Sequence, residues 1–347
     1  MSWLIYIIII IQKIFMIWSL NGILIIKIII KIIKYQNGEC RNTFFFERKN
    51  MIKNVALIGC GAIGSYFVES LNNRITIIAN GKRKERLKKD GLWINDKHYT
   101  LNVQTEKSAG KQDLILIGTK ADGLKEAISY LPYLLKEDTI VLSLLNGVTS
   151  EEKIIQFIPK KHVLHSFMKI GSYRKDNRIY FDINKISDLY YGSLYGNRQQ
   201  LHSLSQFLKT TQIHFHEVDN ILEQMWLKYA CNIANNLPQA VLQVNSTLYT
   251  KSEHGYKLAS LLWSEVYKVA QLKGIQIPEQ VQIFPDSEWG YKYSTLQDIE
   301  QKRETEVDLF LKELINMACE LHIQIPFSEM TYHYIKALEE KNKGYFE

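Results

Sequence analysis

The chain has 347 residues, is 46% hydrophobic and 23% charged, and holds only six prolines. That is globular composition, enough for one large or two medium domains, and it excludes a disordered tail, a collagen-like repeat and a disulfide-stapled miniprotein. The net charge is +7, but residues 1–50 carry seven Lys or Arg against two Asp or Glu, which leaves the remaining 297 residues at +2 and bulk charge with no reason to invoke nucleic acid.

Residues 1–34 contain 16 isoleucines, mostly in runs. Three readings compete. As a membrane segment it is interrupted by Lys13, Lys27 and Lys31, and its charge-free runs, Met1 to Gln12 and Ile14 to Ile26, fall short of the ~18 residues a span needs. As a targeting peptide it lacks a basic start and a small-residue cleavage site. As an extension outside the working chain it has the Ile, Lys, Asn, Phe and Tyr content of translated AT-rich DNA. The third reading is preferred, with the working chain expected to start at Met51. A membrane partner enters only if residues 1–34 are part of the native protein.

From Met51 strands and helices alternate. Val55 to Ile58 is a short apolar run ending at glycine, the mark of a buried parallel strand. A helix is predicted over Ala62 to Leu71, a strand over Ile75 to Ala79, a polar helix over Lys84 to Lys89, and a hairpin over Leu92 to Leu101 turning at Asn95-Asp96. Strands Leu114 to Gly118 and Ile140 to Leu144 flank a helix from Gly123 to Leu131, and shorter strands follow at Val163 to Met168, Ile179 to Asp182 and Ile213 to Glu217. This spacing predicts a doubly wound, Rossmann-type α/β domain over residues 51–217. Long helical patterns then dominate: Asn220 to Asn235, Tyr256 to Lys273, Leu296 to Leu321 and Ser328 to Lys341. The two Ile-x-Ile-Pro junctions ending at Pro278 and Pro326 are read as closing one helix and opening the next. Residues 218–347 are therefore expected to form an all-helical substrate domain.

Gly59-Cys60-Gly61-Ala62-Ile63-Gly64 is a GxGxxG turn directly after a strand and opening a helix. Gly59 permits the tight turn, Gly61 a close approach to a pyrophosphate, and Gly64 tight helix–strand packing, while the helix N-terminus presents free N–H groups. The expected ligand is a dinucleotide. After the second strand the chain reads Ala79-Asn80-Gly81-Lys82-Arg83-Lys84, with no acid for a ribose 2′-hydroxyl and three cations for a 2′-phosphate, so NADPH is expected over NADH. A solvated basic helix start is the alternative. Lys228, Asn232 and Asn236 fall at i, i+4 and i+8 on one helical stripe, where a buried lysine of lowered pKa can act as a general acid and carboxamides can bind a carboxylate or hydroxyl. A wet face with incidental asparagines is the bland alternative. Pro238 is expected to end that helix near Asn236, and Ser294 alone reads as an N-cap. His214-Phe215-His216 reads as a strand with two exposed imidazoles. The nine histidines show no metal-ligating spacing. The four cysteines (Cys40, Cys60, Cys231, Cys319) lie apart with no CxxC pair, which suits a reducing, cytoplasmic compartment.

Together these residues resemble the ketopantoate reductase (2-dehydropantoate 2-reductase) family from Met51 to about Lys341. The resemblance is carried by Gly59 to Gly64, by Gly118-Thr119-Lys120-Ala121, by Asn146-Gly147-Val148, by the Lys228/Asn232/Asn236 stripe, by Ser294-x-Leu-Gln-Asp-Ile and by Thr305-Glu306-Val307-Asp308. It implies that Lys228 donates a proton to a ketone oxygen while NADPH supplies hydride. It further implies that Asn146 sits between cofactor and substrate, that Asn232, Asn236 and Ser294 bind the substrate's hydroxyl and carboxylate, that Glu306 orients the cofactor side, and that Lys120 lies near the nicotinamide nucleotide. The chain departs from the family pattern at Asn80, where arginine is common, and at Ser246 and Tyr291, where asparagines are common. The implied function is reduction of a small 2-oxo acid, by a chain that could pair with a second copy. A reductase of another 2-oxo acid, or a non-catalytic NADP sensor on the same scaffold, are the alternatives.

Overall fold

The computed structural model describes residues 51–346 apart from 72–73, 176–177 and 182–186. The isoleucine-rich segment and its competing readings lie outside the described residues. From Ile52 onward the chain forms one unit.

Short runs of β-branched and leucine side chains, buried on both faces, build the centre of a sheet. These are β1 (Val55–Ile58), β2 (Thr76–Ile78), β6 (Leu114–Ile117) and β7 (Ile140–Ser143). With β5 (Val103–Gln104), β8 (Val163–Ile170), β11 (Ser187–Gly192) and β12 (His214–Glu217), they form one sheet of order β12-β11-β8-β7-β6-β1-β2-β5. From β5 to β8 every pairing is parallel. The strand order reverses at β1, which has β2 on one side and β6 on the other. In open α/β sheets ligands bind outside the carboxyl ends of the strands at such a point. The hairpin β3 (Leu92–Ile94) and β4 (Lys97–Tyr99) turns at Asn95 and Asp96, both with positive φ (46° and 63°), the type I′ geometry that suits strand twist, and it joins β9 (Ser172–Lys175) and β10 (Arg178–Phe181) in a second sheet of order β4-β3-β10-β9.

Two helices predicted in outline are longer in the structure: α1 covers Ala62–Leu71 as read, but α2 spans Gly81–Asp90 and α3 spans Leu124–Leu134. The short α4 (Ser150–Ile154) follows β7, and α5 (Arg198–Leu208) precedes β12. Neither α5 nor β11 was expected. In β11 only Leu189 and Tyr191 point into the sheet core, a pattern too short to stand out in the sequence.

Beyond β12 the chain is helical: α6 (Ile221–Leu242), α7 (Leu248–Lys251), α8 (Glu253–Leu272), α9 (Ser294–Glu300), a π-helical turn at Asp308–Lys312, α10 (Glu313–Glu320) and α11 (Pro326–Asn342). Three expectations need correction. Helix α6 does not stop before Pro238 but runs through it. Pro238 leaves the Ala234 carbonyl, four residues back, without its helical N–H, and the next carbonyl, Asn235, accepts from the Tyr249 hydroxyl at 2.5 Å and from Gln239 Nε2 at 3.4 Å. The helix predicted over Leu296 to Leu321 is broken. Lys302 adopts a left-handed φ of 53°, and the Glu339 carboxylate of α11 accepts from Thr305 N (2.8 Å) and Thr305 Oγ1 (2.6 Å), pinning the strap between α9 and the π turn. Pro326 opens α11 as read, but Pro278 opens no helix, and its carbonyl is taken by Trp263 Nε1 at 2.9 Å. The helical core around Trp226, Trp263 and Phe310 includes Phe167 from β8, so β8 and α6 share one apolar seam.

Candidate active site

The glycine turn sits where the strand order reverses. Gly59 has φ +101°, and a Cβ there would lie 2.6 Å from the backbone of Gly118 and Thr119 in the turn after β6. A Cβ on Gly64 would lie 2.2 Å from the Gly59 carbonyl oxygen. These two glycines are required by the protein itself. At Gly61 a Cβ would meet nothing within 4 Å, so the open space beside it, at the N-terminus of α1, is what a pyrophosphate needs. Ala62 and Ile63 are half-buried in the first turn of α1. Cys60 is buried, and burial pushes its thiol up to about 12, with Arg83 pulling slightly the other way, so it is a small packed group and not a thiolate.

Lys82 and Arg83 are exposed on the first turn of α2, and Arg83 is near enough for its charge to be felt at Cys60. The structure adds an acid that sequence reading missed. Glu106, just past β5, is buried, and its Oε2 accepts from Asn80 Nδ2 at 2.8 Å. Only the β2–β5 pairing, Ile78 opposite Gln104, brings it there, so no local signal pointed to it.

Because the central strands are parallel, the turn after β1, Lys120 after β6 and Asn146 after β7 emerge at one edge of the sheet. Asn146 is the hinge of the site. Its Oδ1 accepts from Lys228 Nζ at 2.7 Å, and its Nδ2 donates to Glu306 Oε2 at 3.0 Å. A neutral amide thus stands between a cation from α6 and a carboxylate from the strap before the π turn. Burial lowers the Lys228 pKa to about 8, partly offset by Glu306 and reinforced by the Lys169 cation on β8. Burial also raises Glu306, which the Asn146 amide and the Lys120 and Lys228 charges partly counter. The next residue, Tyr229, donates its hydroxyl to the Phe310 carbonyl inside the π turn, which ties the lysine's helix to the segment that presents Glu306. Lys120 is exposed, donates to the Glu304 carbonyl at 2.8 Å and lies 3.8 Å from Asp298, so it clasps the same strap from the sheet side.

One turn and two turns along α6, Asn232 is half-buried and Asn236 buried. Asn236 Nδ2 lies 3.5 Å from Ser294 Oγ, while its Oδ1 is buried with no partner among the described residues. Asn235, on the other side of the helix, is a structural amide: it donates to the Cys231 and Gln282 carbonyls and accepts from Phe284 N, each at 2.9 Å. Ser294 is no cap. Helix α9 begins at Ser294 itself, with Tyr293 as the N-cap, and the serine hydroxyl is left to Asn236 and solvent. The structure therefore brings Lys228, Asn146 and Glu306 into one hydrogen-bonded chain and sets Asn236 beside Ser294. Ser246 is fully buried, its hydroxyl donating to the Ser287 carbonyl at 3.3 Å, and Tyr291 is exposed with its hydroxyl 4.0 Å from where a Gly171 Cβ would stand. His214 and His216 are exposed on β12, as read, and His216 stacks on Tyr190. Among the described residues no helix is long and apolar enough to cross a membrane, and no group of three or more His, Cys, Asp or Glu could hold a metal ion.

Comparison with known proteins places the chain in a family. Residues 55–194 match the family model described as ketopantoate reductase PanE/ApbA, and residues 220–339 match its C-terminal counterpart. The chain is 25% identical to the 2-dehydropantoate 2-reductase of Pyrococcus horikoshii over 303 residues, covering 84% of this chain and 99% of that protein. Among solved structures it is similar to D-mandelate dehydrogenase bound to NADH and anilino(oxo)acetate (TM-score 0.74, 22% identity, 84% of this chain and 99% of that one). It is also similar to a dimeric ketopantoate reductase from Staphylococcus aureus (TM-score 0.67, 21% identity, 83% and 99%). With both family models matched in order across most of its length, the chain belongs to the ketopantoate reductase family of oxidoreductases.

Proposed function

We propose that this chain reduces 2-dehydropantoate to pantoate with NADPH, the reduction that feeds pantothenate and coenzyme A synthesis. The observation that carries the reading is the chain Lys228–Asn146–Glu306, which holds a proton donor of lowered pKa at the carboxyl edge of a dinucleotide-binding sheet. Gly59, Cys60, Gly61, Ala62, Ile63 and Gly64 would hold the pyrophosphate, with Lys82 and Arg83 at the 2′-phosphate and Lys120, Asn146 and Glu306 toward the nicotinamide. Bound NADPH supplies the hydride. Lys228 Nζ donates a proton to the carbonyl oxygen as the ketone becomes an alcohol, and its charge stabilises the alkoxide character that develops on that oxygen. Asn146 Oδ1 fixes where the ammonium points. Asn146, Asn232, Asn236 and Ser294 orient the substrate, the buried Asn236 Oδ1 accepting from a substrate hydroxyl. Arg83 near the glycine turn supports the 2′-phosphate preference, and Glu106, which accepts from Asn80, opposes it. A cytoplasmic homodimer is the assembly this reading takes, supported by free cysteines at Cys60, Cys231 and Cys319 and by the dimeric relative.

Ser246 and Tyr291 support a second reading, reduction of a different 2-oxo acid. Ser246 is turned into the protein interior, and an exposed tyrosine, Tyr291, stands where the family commonly carries an asparagine. The test is NADPH oxidation with 2-dehydropantoate against a panel of aliphatic and aryl 2-oxo acids. The reading expects 2-dehydropantoate to give the highest kcat/KM. A higher value for another acid moves the assignment to that substrate, and tight NADPH binding with no turnover on any of them leaves only a sensor.

A further inference from the structure

One buried acid has no part in the chemistry above. Glu151, in the first turn of α4, is 1% exposed, and no cation pairs with it among the described residues. Burial pushes its carboxyl up to about 7, against hydrogen bonds from Ser150 and from backbone N–H groups. A carboxyl group is costly to place in the interior, so its bonds show what it is kept for.

Those bonds form a ring around the base of one loop. Ser143 ends β7, and its Oγ donates to Ser150 Oγ at 2.7 Å. Ser150 Oγ donates in turn to Glu151 Oε2 at 2.8 Å. Glu151 Oε1 accepts from Ser166 N on β8 at 3.4 Å, and Ser166 Oγ donates back to the Ser143 carbonyl at 2.6 Å. All of these side chains are buried. The ring therefore joins the residue before the loop 144–149 to the residues after it, and both ends to the neighbouring strand.

The loop closed in this way carries Asn146. Its tip is a single tight turn, in which Gly147 N donates across Asn146 to the Leu145 carbonyl at 3.1 Å. On the other side, Leu309 of the π turn lies 3.0 Å from where a Gly147 Cβ would stand, and Lys153 of α4 pairs with Glu313 at 2.6 Å. The ring also fixes Ser166, whose neighbour Phe167 has its ring centroid 5.7 Å from Lys228 Nζ. A bond of 2.7 Å from Lys228 to Asn146 tolerates little movement of the amide. With so short a turn at the tip, the place of that amide is set by what holds the two ends of the loop.

We propose that Glu151 is a positioning residue of the reaction: through its ring with Ser143, Ser150 and Ser166 it holds the loop that presents Asn146 to Lys228 and Glu306. This rests on the reductase reading and adds to it a residue that acts only through Asn146.

The experiment combines a double-mutant cycle with hydrogen exchange, both on the full chain. Glu151→Ala should lower kcat about 10- to 100-fold, since a displacement of about 1 Å in a catalytic group can cost 10²-fold. Glu151→Gln, which keeps the shape and an oxygen for Ser150, should recover most of that loss. In the Asn146→Ala background, Glu151→Ala should cost little more, because the amide it would misplace is already gone. Ser150→Ala removes one hydroxyl from the ring and should show the same pattern at smaller size, which keeps the cycle readable where Glu151→Ala does not fold. In the ligand-free chain, hydrogen exchange read by mass spectrometry should speed up over residues 144–149 in Glu151→Ala and stay unchanged in β1 and β6. A kcat loss that appears undiminished in the Asn146→Ala background, or exchange that is unchanged in the loop or faster throughout the sheet, overturns the proposal. A wild-type chain that turns over no 2-oxo acid, yet shows the loop-confined exchange response, overturns the reductase reading and leaves Glu151 as the anchor of the loop.

Discussion

The three glycines of the dinucleotide turn should behave as two different kinds of residue. Alanine at Gly64 places a methyl 2.2 Å from a backbone oxygen of the same turn, and alanine at Gly59 combines a 2.6 Å backbone contact with a φ of +101°. Backbone cannot swing aside as a side chain can. Overpacking costs about 1–3 kcal/mol, and at Gly59 the left-handed backbone adds about 1–2 kcal/mol. Alanine at Gly61 meets nothing within 4 Å, and its φ is not in the left-handed region. That variant should match the wild type or gain about 0.4–1 kcal/mol, because alanine restricts the unfolded chain. Its methyl nevertheless occupies the approach of the pyrophosphate, so NADPH affinity should fall at least 10-fold. The assay pairs thermal unfolding of the ligand-free protein with NADPH fluorescence titration. The expected result is that Gly64→Ala and Gly59→Ala lose stability while Gly61→Ala loses affinity alone. If Gly61→Ala binds NADPH as the wild type does, the open space beside it is not the pyrophosphate site. If it unfolds as readily as Gly64→Ala, the sorting of the glycines is wrong.

Two further outcomes follow from the site. Lys228→Ala should lower kcat by ~10²-fold or more with NADPH binding retained, since general acid catalysis contributes about 10²–10⁴-fold, and near-normal turnover removes the residue from the acid role. Lys82→Ala combined with Arg83→Ala should raise KM for NADPH more than for NADH. Equal use of both cofactors by the wild type refutes the 2′-phosphate argument and puts the weight on the Glu106 carboxylate.

The sheet was legible because its strands are apolar runs closed by glycine, and the glycine turn because each of its positions has a local physical demand. Lys228, Asn232 and Asn236 could be placed on one stripe from spacing alone. What spacing could not show was the partner of each. Asn146 and Glu306 are 160 residues apart, and nothing local says that one amide joins a lysine to a glutamate. The breaks were illegible for the same reason. The strap that carries Glu306 is held out of helix by Glu339 from α11, and α6 runs on through Pro238 with the adjacent Asn235 carbonyl tied to the Tyr249 hydroxyl. Glu106 reaches Asn80 only through strand pairing. In each case a long-range hydrogen bond overrides a local preference, and a window of sequence contains only the preference.

The amide between Lys228 and Glu306 has a consequence for the pH profile. A carboxylate in direct contact with Lys228 would hold the ammonium strongly and raise its pKa, making it a poor donor near neutrality. Asn146 instead offers a neutral oxygen at 2.7 Å and keeps the Glu306 charge one residue away. Burial then dominates and the pKa settles at about 8. In the proposed mechanism reduction needs the protonated lysine, so kcat/KM should be full below that pH and fall as pH rises through about 8. Asn146→Asp tests the argument. The new carboxyl would lie 3.0 Å from Glu306, too close for both to ionise, so the pair shares a proton and total charge changes little. The negative charge nevertheless moves into contact with Lys228. At an effective dielectric constant of 20, contact at 4 Å is worth about 4 kcal/mol, which bounds the shift at roughly three units. The alkaline limb of the kcat/KM profile should therefore move up by about one unit or more, while the plateau drops because a more basic lysine gives up its proton less readily. The position of the limb is read independently of its height, so damage to cofactor binding does not obscure it. A limb that stays near 8 in Asn146→Asp would mean that Asn146 does not govern the charge of Lys228, and its role in separating Glu306 from the lysine would have to be abandoned.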